Sequence, residues 1–123
     1  MESRGNANYP KEFGGGVDTF GSTLHWGPDW QHNFFSKTHA EKSLSGATFN
    51  DDFHIFGLVW DNKTLYTYLD NETNKVLQVN HSDTSYWEKS GLSGRDNPWE
   101  TSSNKCAPFD RDFYLIINLA VGG

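Results

Sequence analysis

Residues 53–80 read FHIFGLVW-DNKT-LYTYLD-NETN-KVLQVN, and this stretch is the strongest indication of the fold class. Three short runs within it, 53–60, 65–70 and 75–80, are rich in β-branched, aromatic and other apolar residues. Asp61-Asn62-Lys63 separates the first pair of runs, and residues 71–74 separate the second. Asn and Asp favour tight turns because their side chains bond nearby backbone amides. The stretch therefore predicts three consecutive antiparallel strands joined by two hairpins.

Two further runs, 17–26 and 113–121, have the same strand-like composition. Residues 14–16 and 90–103 are predicted to be loops because Gly, Ser, Asn and Pro dominate them. No segment keeps an apolar period of 3.6 residues long enough for a substantial helix. These patterns predict an all-β fold, an antiparallel β-sandwich of two sheets. The aromatic residues expected in its core are Phe53, Trp60, Phe113 and Tyr114.

Composition excludes several classes of function. Sixteen acidic and ten basic side chains give a net charge of -6, which is the wrong sign for a nucleic-acid-binding surface. No run of about 18 apolar residues is available to span a membrane. The five histidines lack the cysteine or histidine spacing of a metal site, so we expect neither a metal nor another cofactor.

Several sequence blocks together resemble one known family. They are MESRGN at 1–6, GSTLHWGP at 21–28, NDDFHIFGLVW at 50–60, NPW at 97–99 and APFDRDFYLIINLAVGG at 107–123. In this order they are similar to glycoside hydrolase family 16, in its laminarinase and β-1,3-glucan-recognition branch. The resemblance implies a concanavalin A-like jelly roll. It also implies that residues 1–123 supply about half of that domain, without its N-terminal and C-terminal parts.

Glu2 is the candidate catalytic residue that the resemblance implies. The family carries an E-x-D-x-x-E motif, and Glu2 matches its last glutamate, the general acid and then general base of a retaining double displacement. That mechanism needs a second carboxyl group about 5–5.5 Å away as nucleophile. The motif would place the nucleophile before residue 1, so no nucleophile can be named in this chain. The alternative is an ordinary surface glutamate.

The same resemblance implies substrate-binding roles for Arg4, Asn6 and His25. The structural alternative is a turn at Gly5 for Arg4 and Asn6, and a half-buried strand position for His25. Thr23 shares the strand face of His25. Trp26 and Trp30 flank a loop beside His25, with core packing as their alternative. Asn118 interrupts an apolar run and either braces a neighbouring strand or faces substrate, whereas His54 is expected to be a framework residue. The substrate-binding candidates are Arg4, Asn6, Thr23, His25, Trp26, Trp30 and Asn118.

Three functional hypotheses follow from the resemblance. The first is endo-β-1,3-glucan hydrolysis by the full-length protein, with a laminarin-like β-1,3-glucan polysaccharide bound in the cleft. The second is a non-catalytic β-1,3-glucan-recognition protein of innate immunity. The third is that the chain by itself is inactive, because it carries Glu2 without the nucleophile.

The cellular compartment is indicated by three N-x-[ST] sequons within polar stretches, at Asn62, Asn71 and Asn80. Such acceptor sites favour a secreted, extracellular glycoprotein. Cys106 is the only cysteine. It is either a semi-buried free thiol or half of a disulfide whose partner lies outside the chain.

Overall fold

The computed structural model describes residues 1–10 and 15–121; Gly14, predicted as loop, and residues 122–123 lie outside the described part. The described residues form six strands, one short helix and two 3₁₀ turns, Trp30–His32 and Phe35–Thr38. In chain order the strands and helix are β1 (Glu2–Ser3), β2 (Thr19–Thr23), β3 (His39–Ser43), β4 (Phe56–Trp60), β5 (Thr64–Leu69), β6 (Lys75–Asn80) and α1 (Tyr86–Ser90).

The first sheet has the strand order β1-β2-β3, and both pairs are antiparallel. Because side chains alternate across a strand, Phe20 and Ser22 point towards the second sheet, whereas Gly21 and Thr23 lie on the opposite, outward face. Phe20 is fully buried, and the Thr67 hydroxyl of β5 donates to the Ser22 hydroxyl at 2.8 Å. These contacts fasten the two sheets together.

The second sheet has the order β4-β5-β6 and contains the two hairpins that the sequence predicts. Asp61 closes the first hairpin by accepting from the backbone amides of Lys63 and Thr64, at 2.7 and 2.8 Å. These two bonds hold the pKa of Asp61 below its usual range. The prediction of antiparallel strands in two sheets with little helix is therefore confirmed.

A cluster of large side chains between the sheets and α1 forms the core. Tyr86 of α1 is fully buried, and it meets Trp26 and Phe109 edge-on at centroid distances of 4.9 and 5.0 Å. The helix is short but well capped, since Ser85 and Glu88 form a reciprocal capping box. Leu77 and Val79 of β6 complete the cluster.

The predicted strand at 113–121 is wrong. Residues 113–121 form no strand, and all of their side chains are exposed. A strand forms only beside a hydrogen-bonding neighbour, and the described residues place none along this segment. The predicted aromatic core is also wrong, because burial likewise needs packing partners from other parts of the chain. Phe53 is 100% exposed, Tyr114 84%, Phe113 58% and Trp60 36%.

The sequence reading missed β3. Its sequence, HAEKS at 39–43, is polar and lacks a run of β-branched residues, yet it pairs along its whole length with β2. The predicted loop at 90–103 is confirmed, because α1 ends at Ser90 and no helix or strand follows within that range. No described helix has the length and apolar character to cross a membrane.

Candidate functional site

An open cleft of about 930 Å³ lies against the outward side of the first sheet. It is built from three parts of the chain: residues 1–9, strand β2 with the residues that follow it, and the exposed segment around Asn118. Its polar lining includes six of the predicted site residues, Glu2, Arg4, Asn6, Thr23, His25 and Asn118.

Glu2 lies on β1 opposite Gly21 of β2. The Nε of Arg4 donates to its Oε1 at 3.2 Å, while an Nη1 hydrogen of Arg4 goes to the Tyr9 hydroxyl at 3.1 Å. The guanidinium also stacks over the Tyr9 ring, 4.8 Å from its centroid. Arg4 therefore connects Glu2 to Tyr9 within the cleft lining. Of the described residues that line the cleft, Glu2 is the one carboxylate.

Asn6 both lines the cleft and supports a turn. Its Oδ1 accepts from the backbone amide of Asn8 at 3.0 Å, and its carbonyl accepts from Tyr9 at 3.1 Å. The two predictions made for this residue are thus compatible. The turn fixes the backbone of a residue that also lines the cleft.

His25 lies at the exposed end of the strand β2 region. It is exposed rather than half-buried, so its structural alternative is wrong. The Asn33 amide and the His25 Nδ1 are 3.0 Å apart, and the imidazole lies 5.6 Å from the Phe35 ring. The ring is therefore positioned from one side and open to the cleft on the other.

Trp26 does not belong to the site, which corrects its prediction as a sugar-stacking residue. Its side chain is 4% exposed, and its indole Nε1 donates to the Thr38 hydroxyl at 2.8 Å. Burial against Tyr86 leaves no ring face for a ligand. Core packing, the structural alternative for this residue, is confirmed, although the partner that satisfies the indole lies twelve residues away along the chain.

Trp30 is 85% exposed but does not line the cleft. It begins a 3₁₀ turn that Asp29 caps by accepting from the backbone amides of Gln31 and His32. The hydrogen bond from His32 lowers the pKa of Asp29, and Arg95 adds an ion pair at 3.3 Å. A stacking role for Trp30 remains a prediction about a separate surface.

Asn118 lies in the cleft wall together with Leu119 and Ala120. Its side chain is exposed, so the alternative of a buried bracing amide is wrong for the described structure. His54 is a framework residue as expected, since its Nδ1 lies 2.9 Å from Asp70 Oδ2 at the start of the second sheet.

The sequence reading missed two polar residues beside the cleft, His39 and Glu41. They lie on the same outward face, opposite Thr23 and Gly21 respectively. The alternation of HAEKS carried a signal for this shared face. It was overlooked because the segment was not recognised as a strand.

The remaining predicted positions lie away from the cleft. Asn62, Asn71 and Asn80 are all exposed, at the ends of the β4-β5-β6 hairpins, so glycosylation there stays a prediction that the surface permits. Cys106 is a free thiol in this chain, 2% exposed, and burial raises its pKa. Among the described residues no group of three or more His, Cys, Asp or Glu could hold a metal ion.

Comparison with known proteins finds similarity to glucanase-like proteins. The β-1,3-glucan-binding protein of Penaeus monodon is 47% identical over 125 residues, covering 100% of this chain and 32% of that protein. The glucan endo-1,3-β-glucosidase A1 of Niallia circulans is 32% identical over 101 residues, covering 82% of this chain and 13% of that enzyme. The glucan endo-1,3-β-glucosidase of Cryptopygus antarcticus is 37% identical over 75 residues, which are 61% of this chain and 23% of that enzyme.

The chain thus spans about a third of the length of the first of these relatives and less of the other two. No protein-family model matches the sequence. No solved structure matches it either.

Proposed function

We propose that the cleft beside β1 and β2 binds a β-1,3-glucan, and that this chain contributes that binding surface to the whole protein. The observation that carries the proposal is the convergence of six polar side chains from three separate parts of the chain on one open cleft. Amide, hydroxyl, imidazole, guanidinium and carboxylate groups supply both donors and acceptors. Such a mixture suits a neutral polymer covered with hydroxyl groups, and the names of the relatives support β-1,3-glucan in particular.

Binding to laminarin, a soluble β-1,3-glucan, tests this proposal. Asn118→Ala is expected to weaken binding about fivefold, since a typical hydrogen bond contributes about 1 kcal/mol. The matched control is Asn62→Ala, because Asn62 is equally exposed but lies in the hairpin of the second sheet. Titration calorimetry measures the affinity for laminarin and for a β-1,4-glucan, and tighter binding of laminarin is the expected result. Equal affinity for both glucans, or no binding of either, would overturn the proposal.

We further propose retaining endo-β-1,3-glucan hydrolysis by the whole protein, with Glu2 as general acid and base. The position of Glu2 in the cleft favours this second function. Hydrolysis requires a second carboxyl group about 5–5.5 Å away. The described lining residues do not meet this condition by themselves, so the nucleophile must come from elsewhere in the whole protein.

The Glu2→Gln change separates hydrolysis from recognition. In the whole protein it is expected to reduce sugar release from laminarin at least about 100-fold, the usual contribution of a general acid or base. Binding should stay within about twofold. The control is Glu100→Gln, an exposed carboxylate outside the cleft. Binding without sugar release by the unmodified protein would instead make it a β-1,3-glucan-recognition protein, with Glu2 as a binding residue.

We also propose that residues 1–123 are one part of a concanavalin A-like jelly roll of glycoside hydrolase family 16, and that the protein is secreted and glycosylated. Two antiparallel sheets and the uncovered apolar segment 113–121 support the first part. The exposed sequons support the second. Expression in insect cells tests it: a protein that stays inside the cells, without a mass shift on deglycosylation, would contradict secretion.

A further inference from the structure

Thr23, His39 and Glu41 form a continuous chain of hydrogen bonds on the outward face of the first sheet. Thr23 Oγ1 and His39 Nδ1 are 2.7 Å apart, and His39 Nε2 lies 3.1 Å from Glu41 Oε1. Thr23 stands opposite His39 across the β2-β3 pair and also lines the cleft. The chain of bonds therefore begins at the cleft and runs along β3 beside it.

When His39 is neutral, the protons in this chain have one consistent arrangement. An ionised carboxylate can only accept, so the Nε2 of His39 must carry the proton that is shared with Glu41. In the neutral imidazole the other nitrogen, Nδ1, is then an acceptor. The Thr23 hydroxyl must donate to it. Because a hydroxyl has a single proton, Thr23 presents only oxygen lone pairs towards the cleft.

Gly21 leaves the space in which the imidazole lies. A Cβ added at position 21 would be 3.2 Å from His39 Cε1 and 4.0 Å from Glu41 Cγ. The backbone at Gly21 is not in a left-handed conformation, so packing against His39 is what favours glycine here. Gly21 also stands opposite Glu2. Glu41, which stands opposite Gly21 on the other side, is thus in the same row of the sheet as the proposed catalytic carboxylate.

We infer that Thr23 is a subsite of the cleft, where its hydroxyl oxygen accepts a hydrogen bond from a sugar ring hydroxyl. His39 and Glu41 are the positioning residues that hold Thr23 in this role. The inference rests on the proposed glucan-binding function and adds the direction of one hydrogen bond between the ligand and the cleft. A ligand must donate a hydrogen bond at this point. A group that only accepts, such as a glycosidic oxygen, faces lone pairs and is disfavoured.

Binding by variants of the whole protein tests the subsite. Thr23→Val, which removes the hydroxyl at nearly constant shape, is expected to weaken binding of a β-1,3-linked glucose oligosaccharide about fivefold to tenfold. Thr23→Ser should restore the affinity, and Thr101→Val, an exposed threonine outside the cleft, is the control. Analogues of the oligosaccharide with one hydroxyl replaced by hydrogen or by fluorine identify the donating group. Fluorine cannot donate, so both analogues should lose affinity with the wild-type chain and lose nothing further with Thr23→Val.

The protonation of the imidazole supplies a test that needs no sugar. Long-range proton–nitrogen NMR spectra of the labelled chain should show His39 protonated at Nε2 and unprotonated at Nδ1. Glu41→Gln, whose amide can donate to Nε2, should shift the ring towards Nδ1 protonation and weaken oligosaccharide binding in parallel. A change that merely disturbed the structure would not move these nitrogen signals in that direction.

The outcomes distinguish the subsite from the function it serves. Two results would overturn the subsite alone. One is an oligosaccharide affinity of Thr23→Val equal to that of the wild type, and the other is a His39 ring protonated at Nδ1 without ligand. Failure of the wild-type chain to bind the oligosaccharide would overturn the proposed function, and the assignment of a sugar to this subsite with it.

Discussion

At the scale of single residues, the two faces of the first sheet separate packing from chemistry. On β2, Phe20 points inward and contacts the ring of Phe56 at 5.0 Å, while its neighbour Gly21 points outward between Glu2 and Glu41. A strand that alternates in this way can contribute to the core and to a binding surface with consecutive residues. The polar cleft is therefore a direct consequence of how β2 is packed.

His81 is a buried histidine with no hydrogen-bond partner for either ring nitrogen among the described residues. It is 1% exposed, and burial, followed by the nearby Lys89 ammonium, lowers its pKa from 6.5. Below pH 6.5 the unfolded chain therefore binds more protons than the folded chain. The stability that the neutral ring provides is complete above pH 6.5 and is lost as the pH falls towards the lowered value.

We expect His81→Phe to flatten this pH dependence. In urea unfolding of the whole protein, the midpoint of the wild type should fall between pH 6.5 and 5, and that of the variant should fall less. Asp29 and Asp70 do not contribute to the change of midpoint in this range. Their pKa values are lowered from 3.8, so these carboxylates affect stability at more acidic pH. His25→Phe, at an exposed histidine, should keep the wild-type slope. Equal slopes for the wild type and His81→Phe would show that His81 does not control the acid response.

At the scale of elements, the β4-β5 hairpin depends on a close contact between a glycine and an aromatic ring. Gly57 pairs with Tyr68, and the tyrosine ring lies over the glycine. A Cβ at position 57 would be only 2.0 Å from the ring Cζ. The ring covers backbone that would otherwise be exposed, so Gly57 is buried although β4 is at the edge of the described sheet.

In the whole protein, Gly57→Ala is expected to lower the free energy of unfolding by about 1–3 kcal/mol, the usual cost of overpacking. The added methyl group must push the Tyr68 ring away from β4. Gly5→Ala is the control, since a Cβ there meets nothing within 4 Å; its effect should stay within about 0.5 kcal/mol. Urea unfolding followed by tryptophan fluorescence measures both. A loss no larger than that of Gly5→Ala would mean that the ring moves aside freely.

At the scale of the whole molecule, much apolar surface is uncovered. Phe53, Ile55 and Leu58 are 100%, 61% and 51% exposed, and Leu115, Ile116 and Ile117 are 84%, 70% and 85% exposed. A strand packed on a core would bury alternate residues, but neither face of segment 113–121 is covered. Contiguous apolar surface of this kind favours association and weakens cooperativity.

For the isolated chain we therefore expect a broad, uncooperative thermal transition and strong binding of a hydrophobic dye before unfolding. Differential scanning calorimetry decides the matter. One sharp transition, with equal calorimetric and van't Hoff enthalpies, would establish two-state unfolding. It would also show that the exposed apolar surfaces do not reduce the cooperativity of unfolding.

The sequence by itself determined the features that depend on neighbours close along the chain. The two hairpins of residues 53–80 formed as predicted, because Asp61 closes its own turn through amides two and three residues away. The block MESRGN, through its resemblance to glycoside hydrolase family 16, predicted a cleft around Glu2. Six of the predicted site residues do line one cleft.

Only the tertiary structure decided which aromatic residues are buried and which polar residues meet. Trp26 is buried because it donates a hydrogen bond to Thr38 and packs against Tyr86. Phe113 is exposed because no described strand lies beside it. His39 reaches Thr23 through pairing of β3 with β2, across sixteen residues. Burial and pairing depend on partners distant in the chain, and composition and periodicity carry little information about them.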